Sequence, residues 1–266
     1  MPESAISRLR AGLGRLASRR PSPESPPPTG TTSLPLPPVG LRAGGGHFRE
    51  DAAFLASAVE EARHVVDQRV SHEPLSLLDL GCGAGRLAYG LIAIDAPIAR
   101  YEGVDVMAPP IDWCNATISP ANRAYRFRTT DVYNARYNPV GAHPAAAVTL
   151  PFEDGAFDVA YAYSVFSHML TGDVRAYLAE FARVLSPDGV AIITAFVEDD
   201  VPDQAVNPPG YQGIVWGGAL HCVRFSRGHF EAVAGDAGLR IAGFEHGRAT
   251  DGQSRILLRR AAPGAG

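Results

Sequence analysis

The chain has 266 residues, and its 24 basic residues are all arginine against 28 acidic ones, for a net charge of −4. That balance offers no general attraction for phosphate backbones and excludes a protein that recruits nucleic acid through a basic field. With 46% hydrophobic and 20% charged residues, the chain suits one globular domain with a good core and an attached segment.

Residues 1–38 read as a flexible arm. Ile6, Leu9, Leu13 and Leu16 fall at helical spacing among arginines, a pattern that fits a short basic amphipathic helix or a disordered tail. Prolines then crowd residues 21–38 too densely for helix or sheet, so this stretch reads as a linker. The sequence PPVGLRAGGGHF (37–48) follows, with Arg42 ahead of three glycines. It is either a flexible linker end or a flap over a ligand. Residues 47–66 predict an amphipathic helix with Phe48, Phe54, Leu55, Val59 and Ala62 on its apolar side.

Strand-like runs then alternate with helical ones. LSLLDL, YEGVDV, YRFRTTDV, FDVAYAYSV and GVAIITAFV read as strands, while AGRLAYGLIAI and DVRAYLAEFARVL read as helices. The alternation predicts an α/β fold, a mainly parallel sheet covered by helices on both faces. The tail predicts one more helix (RGHFEAVAGDAG) and a closing antiparallel strand pair. The three cysteines, Cys82, Cys114 and Cys222, show neither metal nor disulfide spacing, which suggests a reducing cytoplasm. No run reaches the length of a membrane span, and the N-terminus lacks the apolar centre of a signal peptide.

The most informative stretch is SLLDLGCGAGRLA, residues 76–88. Asp79 closes a buried strand, and Gly81, Gly83 and Gly85 let the backbone turn sharply and approach a ligand. The helix that follows offers free N–H groups to an anionic group. A dinucleotide fingerprint would be G-x-G-x-x-G; this loop is G-x-G-x-G with an acid two residues before the first glycine.

That loop, with the ordered motifs after it, resembles motif I and its companions in class I S-adenosylmethionine-dependent methyltransferases, over about residues 40–260. The resemblance implies a Rossmann-like seven-stranded sheet, order 3-2-1-4-5-7-6, over residues 39–262, with S-adenosyl-L-methionine as cofactor. It puts Asp79, Gly81, Gly83, Gly85 and Arg86 around the methionine end of the cofactor and Asp105 with Val106 at the ribose. Asp131 with Val132 would meet the adenine, and Ser164 would lie at the fourth strand. Structural alternatives stand beside these: Asp79 could cap its own loop, and Arg86 could be solvated.

His168, in SVFSHM, falls where this family lines its acceptor pocket. A histidine with a near-neutral pKa would suit removal of a hydroxyl proton, with a packing histidine as the alternative. His221 and His143 are further candidates. Arg42, Tyr211 and Trp216 are acceptor-binding candidates, the two aromatics because sugar faces stack on such rings. The acidic loop VEDDVPD (197–203) reads as solvated rather than as a magnesium site, and no metal is expected.

Residues 103–139 are similar to bacterial, in composition actinobacterial, methyltransferases of glycan pathways, down to those acting on methylmannose oligosaccharides. The resemblance therefore implies O-methylation of a sugar or oligosaccharide in polysaccharide biosynthesis, in the cytoplasm. A phenolic or amine metabolite as acceptor, a nicotinamide enzyme and a non-catalytic relative remain open. A homodimer is left open too, and no nucleic-acid partner is expected.

Overall fold

The structure is a computed structural model that describes residues 32–68 and 73–261. The basic helix and most of the Pro-rich linker expected in the arm fall on residues 1–31, outside the described residues.

The order of elements is that of a doubly wound sheet. Helix α1 (Asp51–Asp67) precedes strand β1 (Leu75–Leu80); α2 (Arg86–Ala93), β2 (Ile98–Asp105), α3 (Ala108–Thr117) and β3 (Tyr125–Thr129) follow. Two short strands, β4 (Val132–Tyr133) and β5 (His143–Pro144), pair only with each other. Then come β6 (Phe157–Ala162), α4 (Thr171–Val184) and the long β7 (Leu185–Glu198). The chain ends with β8 (Gln204–Val206), β9 (Val223–Ser226), α5 (Arg227–Asp236), β10 (Leu239–Glu245) and β11 (Ser254–Arg260). The main sheet runs β10-β11-β7-β6-β1-β2-β3. With only its seven strands counted, this is the expected order 3-2-1-4-5-7-6. The β1, β2, β3, β6 and β7 pairings are parallel, whereas β11 pairs antiparallel with both β7 and β10. Two small strands are added: β9 runs parallel to the end of β7, and β8 pairs with β9.

Strand alternation divides the core. Leu77, Tyr161 and Ile192 pack on the face covered by α1, α2 and α3, while Leu78, Ala160 and Ile193 pack on the face of α4 and α5. Both faces of the central strands are dry, which is why they read as near-continuous apolar runs. The expected helix over 47–66 begins later than the sequence suggests: residues 46–49 form a 3-10 turn, and α1 starts after an extended Glu50. The described end of the linker, residues 32–38, lies against the domain. Leu34 and Leu36 pack on the α1 side of the core, and the Tyr89 hydroxyl donates to the Pro35 carbonyl at 2.6 Å.

Candidate active site

At the carboxyl ends of β1, β2, β6 and β7 lies one cavity of about 540 Å³, where a doubly wound sheet places its ligands. Its floor is the loop from Leu80 to Arg86. Gly81, Gly83 and Gly85 have φ of +72°, +51° and +80°. A Cβ on Gly81 would sit 2.3 Å from Val165 Cγ2, whereas one on Gly83 would meet nothing within 4 Å. Gly83 thus leaves open cavity where a side chain would otherwise stand.

Two buried carboxylates underlie this floor. Asp105, at the end of β2, accepts from the backbone N–H groups of Gly83 (2.8 Å) and Met107 (2.9 Å) through different oxygens. Burial raises its pKa, and those amide bonds counter the rise. Asp79 accepts the Tyr101 hydroxyl proton, and burial pushes its pKa up to about 7 against that bond and the charge of Arg86. The Arg86 guanidinium lies 4.2 Å from the Tyr163 ring centre and 4.9 Å from that of Phe48, both rings at the cavity wall. An open glycine face, two carboxylates and an arginine held between rings fit an aminoacyl-nucleoside cofactor. In that fit Arg86 would hold its carboxylate, and the free lone pairs of Asp105 its ribose hydroxyls.

The other end of the cavity is built around His168, in the turn after β6. His168 Nδ1 donates to the Leu220 carbonyl at 2.9 Å, which leaves Nε2 with its lone pair toward the Tyr137 hydroxyl, 3.3 Å away. The ring is 8% exposed, and burial lowers its pKa to about 4. Its neighbours Arg136 and His221 push the same way, while the carbonyl bond opposes. The near-neutral value expected of a base is therefore not what this environment gives: the ring is neutral throughout the physiological range.

This burial has a consequence for stability. The unfolded chain binds a proton at His168 below about pH 6.5 and the folded protein only below about 4, so stability rises with pH between those values. By linkage, up to about 3 kcal/mol is at stake. Asp79, raised to about 7, acts in the opposite sense over the same window in both proteins. Denaturant unfolding from pH 4 to 7.5 should therefore show the stability difference between wild type and His168→Gln shifting in favour of wild type as pH rises; parallel pH curves for the two proteins would reject the assignment.

Among the other expected residues, Val106, Val132, Ser164, Trp216 and His221 all line the cavity. Ser164 is held in the left-handed region (φ +57°): its N–H donates to Thr194 Oγ1 (2.7 Å), and its hydroxyl accepts from Gln253 Nε2 (2.9 Å). Four candidates are placed otherwise. The exposed Asp131 carboxylate accepts the Ala142 N–H at 3.1 Å and ties a loop, so Thr130 and Val132 form the wall where Asp131 was expected. Tyr211 lies behind Trp216, with its hydroxyl donating to Glu198 at 2.8 Å and its ring against Phe196. Arg42 does reach the wall, but its guanidinium is spent on the Pro37, Phe48 and Arg49 carbonyls and on Asp51 at 2.5 Å. It fastens the 42–48 segment, of which residues 42–45 and Phe48 form part of the cavity wall. His143 is exposed in β5, away from the cavity.

Residues the sequence did not single out complete the wall: Tyr163, Gln253, Tyr133, Asn134, Arg136 and Tyr137. Among the described residues no group of three or more His, Cys, Asp or Glu side chains is arranged to hold a metal ion. Likewise, no helix is long and apolar enough to cross a membrane.

This geometry is that of a Rossmann-like class I methyltransferase scaffold. The fold is shared with the 1,6-didemethyltoxoflavin-N1-methyltransferase of Burkholderia thailandensis, solved with its substrate and S-adenosylhomocysteine. That match has a TM-score of 0.52 at 17% identity, over 77% of this chain and 79% of that one. Residues 78–193 match the family model described as a methyltransferase domain. A demethylmenaquinone methyltransferase of Thermus thermophilus is 32% identical over 137 residues, 50% of this chain and 53% of that protein. An O-methyltransferase of Aspergillus nomiae is 31% identical over 160 residues, 59% of this chain and 63% of that protein. The chain thus spans between half and two thirds of the length of these relatives.

Proposed function

We propose that this protein transfers a methyl group from S-adenosylmethionine to a hydroxyl of a small-molecule acceptor. The observation that carries the reading is one continuous cavity, with the Gly81–Gly85 cradle and its buried carboxylates at one end and the neutral His168 at the other. The relatives named above, one of them an O-methyltransferase by name, agree with it.

S-adenosylmethionine supplies a methyl group on a cationic sulfonium, a leaving group that needs no acid. What remains for the protein is alignment, since an in-line attack depends on holding nucleophile, carbon and leaving atom in a row. His168 Nε2 accepts the hydroxyl hydrogen of the acceptor in exchange for that of Tyr137, 3.3 Å away, and so fixes where the oxygen lone pair points. As the methyl moves, the acceptor oxygen becomes a strongly acidic oxonium, so Nε2 takes its proton and, with a pKa near 4, passes it on to solvent rather than storing it. The Leu220 carbonyl holds the tautomer this requires. The segment fastened by Arg42 and the rings of Phe48 and Tyr163 form the wall of the cofactor end.

A sugar hydroxyl is the acceptor the sequence suggests. The wall of Tyr133, Tyr137 and Trp216 suits the face of a sugar and the ring of a phenol alike, so the test must contain both. Methyl-labelled S-adenosylmethionine should label at least one member of a panel of mono- and oligosaccharides, phenols and amines. His168→Ala should lower kcat by about ten- to a hundredfold with S-adenosylhomocysteine binding intact. Tight cofactor binding with no label on any acceptor would instead make this a binding protein.

A further inference from the structure

Three arginines line the cavity, and two are already accounted for: Arg42 fastens the 42–48 segment, and Arg86 sits between rings in the glycine end. Arg136 is different. It stands on the turn between β4 and β5. The Asn134 side-chain oxygen accepts the N–H groups of Arg136 and Tyr137, each at 3.0 Å, and its amide donates to the His168 carbonyl at 3.2 Å. Asn134 and Asn138 bridge each other through their backbones.

This turn presents the Arg136 guanidinium to the acceptor end. It lies over the Tyr137 ring at 5.5 Å, and its charge contributes to the electrostatics at His168. Its Nε is buried and has no hydrogen-bond partner, and among the described residues Arg136 joins no ion pair. The cavity's carboxylates do not compensate it: Asp79 and Asp105 belong to the glycine end, and Asp251 is exposed.

A half-buried guanidinium with an unsatisfied donor, carried at a ligand cavity on a turn whose backbone Asn134 ties, is costly unless a ligand completes it. Its planar fork matches the oxygens of a carboxylate or phosphate. Resting on the methyl-transfer reading, we propose that the acceptor carries an anionic group, a carboxylate or phosphate monoester. Arg136 binds that group while the reacting hydroxyl lies at His168. Arg136 is then the residue that selects acidic over neutral acceptors.

The test uses matched probes: 4-hydroxyphenylacetate and its methyl ester, and glucuronate and glucose 6-phosphate against glucose. Calorimetry on the full chain loaded with S-adenosylhomocysteine reads binding; label from S-adenosylmethionine reads turnover. At least one acid should bind about tenfold or more tightly than its neutral counterpart. Arg136→Gln should erase that advantage, while Arg136→Lys, which keeps the charge and loses the fork, should retain part of it. Which acid wins separates carboxylate from phosphate. Neutral probes binding as well as the acids, no acid binding at all, or a preference that survives Arg136→Gln in a protein with wild-type melting would overturn the proposal. An acid that binds through Arg136 yet never takes label would uphold the anion site and overturn methyl transfer.

Discussion

Asp105→Ala is expected to weaken S-adenosylhomocysteine binding by about a hundredfold or more, equivalent to roughly 3 kcal/mol. Its carboxylate does two jobs at once. It accepts the Gly83 and Met107 amides and so shapes the glycine floor, and its remaining lone pairs face the cavity where ribose hydroxyls would lie. Alanine removes both, leaving two amides without their acceptor in a nearly buried position. Asp105→Asn keeps the shape but has one acceptor oxygen for two amide donors, so an intermediate loss is expected. Calorimetric titration of the three proteins with S-adenosylhomocysteine decides the matter: affinity within threefold of wild type in Asp105→Ala would remove this residue from the binding site.

Glu61→Ala should give the largest loss of stability. Glu61, on α1, is 6% exposed and accepts from Arg255 on β11 at 2.5 Å and from the Tyr161 hydroxyl at 2.9 Å. Arg255 is 9% exposed, and among the described residues its only other acidic partner is the more distant Glu245, at 3.4 Å. Removing the carboxylate strands a charge between sheet and helix, which costs about 3–5 kcal/mol. For a domain of this size that is a fall in Tm of about 6–20 °C. Replacing both partners by methionine should recover much of it, because no charge is then left unpaired. Thermal melts of the single and double variants separate the cases, and a double variant no better than Glu61→Ala would contradict this account.

The sequence was legible where its signals are local. The G-x-G-x-G loop after LSLLDL carries its turn chemistry within a few residues, and Asp105 follows at a spacing set by one helix and one strand. What escaped depends on distant partners or on position within an element. Prolines 109 and 110 look like breakers, yet they occupy the first turn of α3, where a missing N–H costs nothing. Asp131 sits one residue from two that line the cavity, and a loop amide eleven residues away takes its side chain out of the wall. Gln253 reaches Ser164 across 89 residues of chain, and Arg136 matters only because Asn134 holds its turn against His168. The low pKa of His168 likewise comes from burial, which no residue type announces.

The division of the cavity between two kinds of backbone shapes how such a protein can change. Its glycine end is made by the ends of β1 and β2, which also carry the packing of both core faces, so a substitution there is paid in folding as well as binding. The opposite end is made by the 134–137 turn and the 216–221 loop, segments outside the core strands. Loops of that kind tolerate substitution and insertion. Descent with new chemistry can therefore run through one half of the pocket while the other stays fixed, and a swap of the two loops between relatives is a graft rather than a redesign.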